Sequence, residues 1–292
     1  MQTLENTYLR LTISEHGAEM QSIIRKRDQQ ELLWQGDPAY WGRRSPVLFP
    51  LVGHAYQDQF RVGDTTYHMG QHGFARDLDF DVISHTPTTV ALRLTSTDDT
   101  LERYPFPFIL TITYTLTQST ISVTWQVDNP SPHLTLPFHI GAHPGFLLPH
   151  YDAEAEVHGY LAFNVTDRLV SAGLRPGGYT DPETTFDVPL TDGLLPLTNH
   201  TFDCDTILDC RNVLNSCTLL DAHRQEVLTL RFQMPILALW SPNGGQSPFV
   251  CIEPWHGCCD PFGFEGQLHE RPFTNLLEPG QQFENTYEIE IG

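Results

Sequence analysis

Long apolar runs are absent from this 292-residue chain. No segment approaches the roughly 18–20 consecutive apolar residues that a helix needs to cross a bilayer. The N-terminal segment MQTLENTYLR also lacks the basic start and apolar core of a secretory signal peptide. We therefore expect no membrane partner and a cytoplasmic location.

Basic residues are scarce, because 16 Lys and Arg stand against 36 Asp and Glu, for a formal net charge of −20. A protein with this charge repels phosphate backbones and anionic lipid headgroups. The balance disfavours nucleic-acid binding and a role at a membrane surface. It also favours an uncharged small-molecule ligand over a highly phosphorylated one.

The six cysteines lie late in the chain and form no C-x-x-C pair; their positions are 204, 210, 217, 251, 258 and 259. In a cytoplasmic protein such thiols stay reduced. We expect them to pack mostly as small hydrophobic side chains, and we expect no zinc or iron–sulfur site built from them.

Helical periodicity is missing beyond about ten residues, whereas the alternation of apolar and polar residues that is typical of β-strands recurs along the chain. Clear strand patterns cover 88–97, 108–117, 120–127, 227–234 and 286–291. Only short helical turns are expected, near 31–42 and 98–104.

Many short strands separated by proline and glycine clusters predict an all-β chain, built as a large antiparallel sandwich or barrel. No low-complexity linker, internal repeat or change in composition divides the sequence. We therefore predict one domain over residues 1–292, a size that all-β folds reach undivided.

Titratable residues gather among glycines and prolines in four stretches, which are the candidates for chemistry. They are WGRRSPVLFPLVG (41–53), MGQHGFARD (69–77), FHIGAHPGFLLP (138–149) and FVCIEPWHG (249–257).

His139 and His143 have the H-x-x-x-H spacing, which can hold zinc when it lies on a helix. Gly141 and Pro144 disfavour a helix here. In a strand the two histidines lie about 13 Å apart, too far to share one zinc ion at bonds of about 2.0–2.1 Å. We therefore interpret His143, at the start of a turn, as the histidine that faces a cleft, and His139 as structural.

The stretches 69–77 and 41–53 also offer residues that can face a pocket. In the first, Gly73 permits a tight turn, so His72 can project into a pocket beside Phe74. Arg43 and Arg44 are adjacent, and strand alternation points them to opposite faces. At most one of the two lines a site.

Glu253 follows the apolar run 249–252 and precedes Pro254 and Trp255. A carboxylate at the end of a buried strand is costly unless it is paired or functional. Burial would raise its pKa towards the range of a general base, and an ion pair with an arginine is the alternative. Nearby aromatic rings offer flat faces on which a neutral sugar can pack, although core packing is the alternative for each ring.

These stretches make the sequence similar to the aldose 1-epimerase (galactose mutarotase) family, and within it to the LacX-like branch. The resemblance runs nearly end to end and rests on six motifs in order: HGAEMQSI (16–23), RRSPVLFPLVG (43–53), QHGFAR (71–76), HPGF (143–146), FVCIEPWHG (249–257) and LLEPGQQFE (276–284). One such motif is weak evidence, but six in this order are specific.

The resemblance implies the galactose mutarotase-like supersandwich, a large antiparallel β-sandwich whose concave face holds a monosaccharide, with no cofactor and no metal. In the family a glutamate takes the proton of the anomeric hydroxyl while a histidine protonates the ring oxygen, so that the ring opens and recloses as either anomer. Matching positions assign Glu253 as the base and His143 as the acid. They assign His72 as the second histidine, which binds the sugar and assists.

The resemblance also implies substrate-binding residues. Arg43 matches the family's arginine by its place three residues before Pro46, and Asp205 in CDTIL matches its aspartate, with Asp203 as the alternative. Two aromatic residues near the histidine and glutamate motifs, Phe74 and Trp255, are expected to contact the sugar.

Three interpretations stay open on the sequence alone. The first is a mutarotase, and the second is a carbohydrate-binding or sensing protein that kept the pocket and lost turnover. The third reads His72, His143 and Glu253 as a metal triad of two histidines and one carboxylate.

The identity of the sugar is also open. The acidic balance favours a neutral aldose, whereas a hexose phosphate would need a basic corner made by Arg43, Arg44 or Arg76. The resemblance does not imply that galactose is the substrate, because the galactose-specific enzymes of the family have a different sequence around their histidines. A homodimer is compatible with the sequence.

Overall fold

Antiparallel strands make up most of the computed structural model, which describes residues 1–292. The first eleven strands are β1 (Gln2–Glu5), β2 (Leu9–Ile13), β3 (Met20–Arg25), β4 (Gln30–Glu31), β5 (Val47–Leu48), β6 (Gln59–Val62), β7 (Thr65–His68), β8 (Asp81–His85), β9 (Thr89–Thr95), β10 (Ile109–Thr117) and β11 (Thr120–Asp128). The remaining strands are β12 (Leu136–Phe138), β13 (Ile140–Ala142), β14 (Gly145–Leu147), β15 (Gly159–Phe163), β16 (Arg168–Arg175), β17 (Tyr179–Pro189), β18 (Leu194–Leu197), β19 (Ile207–Asp209), β20 (Ser216–Asp221), β21 (Glu226–Arg231), β22 (Ile236–Trp240), β23 (Phe249–His256), β24 (Asn275–Leu277) and β25 (Gln282–Ile291).

Helical structure is limited to one α-helix, α1 (Asp98–Arg103), and four short 3₁₀ turns at Tyr56–Asp58, Ala75–Asp77, Asn243–Gly245 and Leu268–Glu270. The Thr97 hydroxyl accepts a hydrogen bond from the Thr100 N–H and caps α1, which confirms the turn predicted near 98–104. The helical turn predicted near 31–42 is confined to 37–41, where the Tyr40 and Trp41 N–H groups donate to the Asp37 carbonyl at 3.0 and 2.9 Å. None of these helices is long and apolar enough to span a membrane.

A nine-stranded antiparallel sheet forms the larger layer, in the order β18-β15-β20-β21-β25-β11-β10-β9-β8. All five segments in which the sequence shows clear alternation lie in it, as β9, β10, β11, β21 and β25. On β10 and β11 the buried residues alternate with partly exposed ones, and Ile112 pairs with Trp125 on the inner face. The period-2 pattern thus gives this sheet one face for the core.

The second layer contains β19-β22-β23-β13-β5, with β14 also paired to β23. Val250 and Ile252 on β23 belong to the same cluster of 61 buried residues as the inner face of the nine-stranded sheet. This cluster draws on residues from Leu4 to Ile291. The two layers enclose a common core, and the predicted all-β antiparallel sandwich is confirmed.

The face of the second layer that points away from this core is also covered. Cys251 and Trp255, which alternate with the core residues of β23, belong to two smaller buried clusters on that face. Glu253 lies between them and is buried as well. Alternation along a single strand thus places Glu253 outside the main core but still away from bulk water.

A buried ion pair ties the loops beside this covered face together. Arg271 donates to the carboxylate of Asp260 and, through Nη2, to the backbone carbonyls of His54 and Cys258 at 3.3 Å each. The second carboxylate oxygen of Asp260 accepts from the Tyr56 N–H at 2.8 Å. The contacts to His54 and Tyr56 join segments more than 200 residues apart, so the pair fixes loop positions that local structure does not determine.

We predict that Arg271→Ala lowers the free energy of unfolding by about 3–5 kcal/mol, because it leaves the Asp260 charge buried without a partner. Arg231→Ala is the matched control, since Arg231 pairs with Glu290 at 3.0 Å on the exposed surface; it should cost less than about 1 kcal/mol. Urea denaturation followed by circular dichroism measures both. Equal losses in the two variants would show that the buried pair has no special role.

Candidate active site

A cavity of about 370 Å³ lies on the covered face of the second layer. All four stretches that the sequence marks as candidates contribute to it. Its lining consists of Trp41, Gly53, Gln71, His72, Arg76, His143, Leu174, Gly178, Asp205, Thr206, Leu208, Trp240, Glu253, Trp255 and Cys259. The sandwich therefore brings residues from the first and the last quarter of the chain into one pocket.

Glu253 and His143 meet in this cavity. Glu253 projects from β23, and His143 follows the neighbouring strand β13, which pairs with β23 near Trp255. The Glu253 Oε2 and His143 Nε2 atoms are 3.2 Å apart, and the residues are 1 % and 9 % exposed. The approach is not aligned as a hydrogen bond, so Oε2 has no hydrogen-bond partner in the protein.

The electrostatic environment disfavours charge on both groups. Burial raises the pKa of Glu253 well above its usual value; the nearby indole N–H of Trp255 opposes this change, and the charge of Asp205 adds to it. Burial lowers the pKa of His143 to about 3, and the nearby Arg76 contributes in the same direction. A carboxyl and an imidazole in contact can hold one proton that either can carry, which suits proton transfer between two neighbouring oxygens of a ligand.

His72 is held in one tautomer by the backbone. The Gly53 N–H donates to His72 Nδ1 at 3.1 Å, so the proton of the neutral ring is on Nε2. Burial, followed by the charge of His143, lowers the pKa of His72 well below its usual value and favours this neutral form. Gly53 has φ +67°, and a Cβ there would lie 2.5 Å from the Cβ of Cys259, so only glycine allows this close approach.

Tryptophans surround His143 and form the walls of the cavity. Trp41 stacks on its ring at 4.8 Å between centroids, and Trp240 meets it edge-on at 5.8 Å. Trp255, which is expected to contact the sugar, lines the cavity. Its indole N–H donates to the Ala142 carbonyl at 3.2 Å. The three indoles leave flat apolar faces beside the polar Glu253–His143 contact.

Arg43 does not line the cavity, contrary to its expected position. Its Nη2 donates to Asp77 Oδ1 at 2.8 Å, and this ion pair holds the guanidinium to the side. Arg76, the last residue of QHGFAR, lines the cavity instead and donates to the Gln71 carbonyl at 2.6 Å. Arg44 is also outside the lining, since its Nη1 donates to the Gln21 carbonyl at 2.6 Å.

Phe74 is likewise displaced from the expected position, because it lies in the main core. Its ring packs near Tyr104 and Phe108, at centroid distances of 6.4 and 6.0 Å. The chain reverses at His72 and Gly73, both with positive φ, and begins a 3₁₀ turn at Ala75. This tight turn sends the two side chains His72 and Phe74 to different sides of the backbone.

The choice between two aspartates is resolved in favour of Asp205 as a lining residue. Asp203 is exposed and pairs with His200 at 3.0 Å. Asp205 has φ +71°, a conformation that aspartate tolerates better than most residues. The left-handed turn brings its carboxylate to the cavity, which the loose local match in sequence did not reveal.

Three lining residues, Leu174, Gly178 and Thr206, carry no signal in the sequence, whereas Trp240 is one of the aromatic residues with a flat face for a sugar. Leu174 lies next to the last residue of β16 and Gly178 precedes β17, and both line the cavity from this hairpin. Thr206 precedes β19 and Trp240 ends β22, the strands next to β23 on one side of the sheet. Pairing of β22 with β23 places Trp240 beside Glu253, and β19 adds Thr206 through its pairing with β22.

The two histidines of H-x-x-x-H have different surroundings. His139 Nε2 contacts Thr274 Oγ1 at 3.0 Å, and its Nδ1 lies 3.4 Å from Arg271 Nη1, so His139 belongs to the group of buried contacts around the Arg271–Asp260 ion pair.

The metal triad of His72, His143 and Glu253 that the sequence left open is not assembled. The residues whose ligand atoms all lie within 4.8 Å of one another are His143, Cys251 and Glu253.

Comparison with known proteins shows the family to which the whole chain is similar. The family described as Aldose 1-epimerase matches residues 1–290. Chromosomal protein LacX of Lactococcus lactis subsp. lactis is 29 % identical over 99 % of this chain and 98 % of its own length.

Two solved structures extend this similarity to the fold. A galactose mutarotase-like protein from Lactobacillus casei ATCC 334 is 32 % identical, with a TM-score of 0.93 and full coverage of both chains. A galactose mutarotase related enzyme from Lactobacillus acidophilus is 31 % identical, with a TM-score of 0.91 over 100 % of this chain and 97 % of its own.

The buried His139 should make the fold sensitive to acid. Burial, followed by the charge of Arg271, lowers its pKa well below the usual 6.5, so the unfolded chain binds a proton that the folded protein does not. The contribution is complete above about pH 6.5 and is lost as the pH falls. Lowering the pH from 7 to 5 should cost about 2 kcal/mol for this one histidine.

Urea denaturation at pH 7 and pH 5 measures this effect. In His139→Gln the loss of stability between the two pH values should be smaller by about 2 kcal/mol than in the wild type. His133→Gln, at an exposed position, should keep the wild-type difference. An unchanged difference in His139→Gln would contradict the assignment.

Proposed function

The chain belongs to the aldose 1-epimerase family, and on this basis we propose that it is a cofactor-independent mutarotase, an isomerase that interconverts the α and β anomers of a free aldose. The observation that carries the proposal is the 3.2 Å contact between Glu253 and His143 inside the cavity. The anomeric oxygen and the ring oxygen of an aldose are bonded to the same carbon, C1. Two groups this close can therefore serve both oxygens of one sugar.

The proposed reaction transfers protons only. The reaction starts from the form in which the proton that the two groups share is on His143 and Glu253 is a carboxylate. Glu253 then takes the proton of the anomeric hydroxyl while His143 donates its proton to the ring oxygen. The bond between C1 and the ring oxygen breaks, and C1 becomes an aldehyde carbonyl. Rotation about the C1–C2 bond presents the other carbonyl face, and the reverse proton transfers close the ring as the other anomer.

The remaining residues would hold the sugar during this rotation. His72 offers an Nε2–H donor, because its Nδ1 accepts from Gly53. Asp205 and Arg76 supply a carboxylate acceptor and guanidinium donors for hydroxyl groups, and Trp255 supplies a flat face. Hydrogen bonds to charged groups contribute about 1.5–3 kcal/mol each, enough to orient a small ligand.

A neutral monosaccharide is the substrate class that we propose. Arg76 is the one cationic side chain in the lining, and it faces a pocket that also contains two carboxyl groups. The net charge of −20 further disfavours a phosphorylated ligand. Galactose is the first sugar to test, since the solved relatives are described as galactose mutarotase-like or related.

We expect Glu253→Gln to lower the rate of catalysed anomer exchange by about 10²–10⁴-fold, because the amide cannot accept the anomeric proton. Polarimetry or saturation-transfer NMR with galactose, glucose and their 6-phosphates measures the rate. Glu284→Gln, at an exposed position, serves as the control and should keep the wild-type rate.

The outcomes separate the open interpretations. An unchanged rate in a folded Glu253→Gln protein would refute the role of Glu253. Sugar binding by calorimetry without any acceleration by the wild type would identify a binding or sensing protein instead. A rate on the phosphates alone would overturn the neutral substrate class.

A second pair of variants tests the arginine assignment. Arg76→Ala should raise KM by about 10- to 100-fold with a smaller effect on kcat, because it removes a charged donor that binds the sugar throughout the reaction. Arg43→Ala should change KM less than about fivefold, since its ion pair lies outside the cavity. A large rise of KM in Arg43→Ala with little change in Arg76→Ala would show that Arg43, and not Arg76, binds the sugar.

A further inference from the structure

Three side chains that can bind a metal lie together beside the cavity, two of them, His143 and Glu253, in its lining and the third, Cys251, buried behind it. Cys251 and Glu253 are alternate residues of β23 and so project from the same face. His143 reaches the same point from the turn before β14, which pairs with β23 at Cys251. The ligand atoms of His143, Cys251 and Glu253 all lie within 4.8 Å of one another, and all three residues are buried.

Two features of this cluster point to a second ligand: ring opening does not involve the Cys251 thiol, and it uses Glu253 Oε2 only while a sugar is bound. The Cys251 thiol has no part in the proton transfers, although it lies beside both groups that carry them. Glu253 Oε2 is buried without any hydrogen-bond partner, and buried polar atoms in native proteins normally have one. A carboxylate oxygen, an imidazole nitrogen and a sulfur that face one point form a set that suits a cation.

We propose that His143, Cys251 and Glu253 form a binding site for a single zinc ion. These are the nitrogen, sulfur and oxygen ligands that zinc prefers, and three protein ligands with an open fourth position are typical of accessible zinc sites. The fourth position faces the cavity, since His143 and Glu253 both line it. The thiol proton of Cys251 is released to water when the sulfur binds the ion.

The charges and the distances of the three side chains both suit a zinc ion. The Glu253 carboxylate and a Cys251 thiolate together balance the two positive charges of zinc, so the loaded site is neutral and avoids the cost of a buried net charge. Ligand atoms around tetrahedral zinc lie about 3.5 Å apart. Because Glu253 and His143 are already 3.2 Å apart, the thiol needs to move by only about 1 Å.

The same ligands select the metal. Thiolate and imidazole favour zinc over magnesium and calcium, which prefer oxygen ligands. Zinc bound here occupies the two groups that would transfer protons to and from the sugar. Zinc therefore acts as an inhibitor that competes with the sugar, a consequence that rests on the proposed function, whereas metal binding itself does not.

Cobalt(II) reports the ligand set directly, because sulfur bound to it gives a charge-transfer band in the near ultraviolet. We expect one equivalent of Co²⁺, added to the full-length protein after treatment with chelator, to produce this band and Zn²⁺ to remove it. Cys251→Ala should abolish the band. Cys259→Ser is the matched control, since Cys259 also lines the cavity, and it should keep the band.

The results that overturn the proposal are distinct. No band in the wild type would refute the site, and so would a band that persists in folded Cys251→Ala but disappears in Cys259→Ser. X-ray absorption on the wild type with one equivalent of Zn²⁺ needs no variant to fold. It should find one sulfur bound to zinc; two sulfurs would indicate Cys258 and Cys259, whose Sγ atoms are 3.9 Å apart, and none would indicate surface histidines.

Measurements of the rate of anomer exchange test whether zinc and the sugar compete. Stoichiometric Zn²⁺ should lower the rate of anomer exchange at least about tenfold, chelator should restore it, and Cys251→Ala should need at least about tenfold more zinc for the same inhibition. Full wild-type activity with zinc bound through one sulfur would refute competition at this site. If the wild type has no mutarotase activity, the proposed function fails, while the cobalt and X-ray measurements still decide the zinc site.

Discussion

Burial of the Glu253 carboxyl group within a sheet is the constraint on which the site depends. Strand β23 is covered on both faces, because Val250 and Ile252 enter the main core while Cys251 and Trp255 enter the smaller clusters on the other side. A carboxyl group in such a place is costly, and the cost must be met by the rest of the fold. The large apolar core between the two layers supplies this stability.

The same constraint explains how the neighbours of Glu253 are held. His143 is enclosed by indole rings, and His72 is oriented by a backbone N–H at Gly53, so neither depends on a mobile side chain for its position. The loops that carry Gly53 and Cys259 are in turn joined by the buried Arg271–Asp260 pair. A site that is fixed before the ligand arrives needs little reorganisation during reaction.

Because they are buried side by side, Glu253 and His143 suit both proton transfer and metal binding. A carboxyl and an imidazole in contact, both shielded from water, can pass one proton between neighbouring oxygens of a sugar. With the thiol of Cys251, two residues before Glu253 on the same face of the strand, the two groups also present a ligand set for zinc. The sugar and the metal would compete because they need the same two atoms, His143 Nε2 and Glu253 Oε2.

Local pattern determined the strands and the residue types of the site. Alternation identified β9, β10 and β11, since one face of each is buried and the other is not. The turn predicted near 31–42 is limited to 37–41, because Leu33 bridges to Phe146 and the Trp34 N–H donates to the Gly145 carbonyl, so that distant backbone groups hold the start of the segment extended.

The sequence by itself thus determined an all-β chain with titratable groups at strand ends, and it selected His143 over His139 because proline and strand spacing are local properties. Only the tertiary structure decided which side chains share the cavity. Arg76 replaced Arg43 because Asp77 holds Arg43 aside, and Phe74 entered the core because a tight turn separates it from His72. Cys251 joined Glu253 and His143 because pairing between β14 and β23 brings together residues more than a hundred positions apart, and no local pattern contains such a pairing.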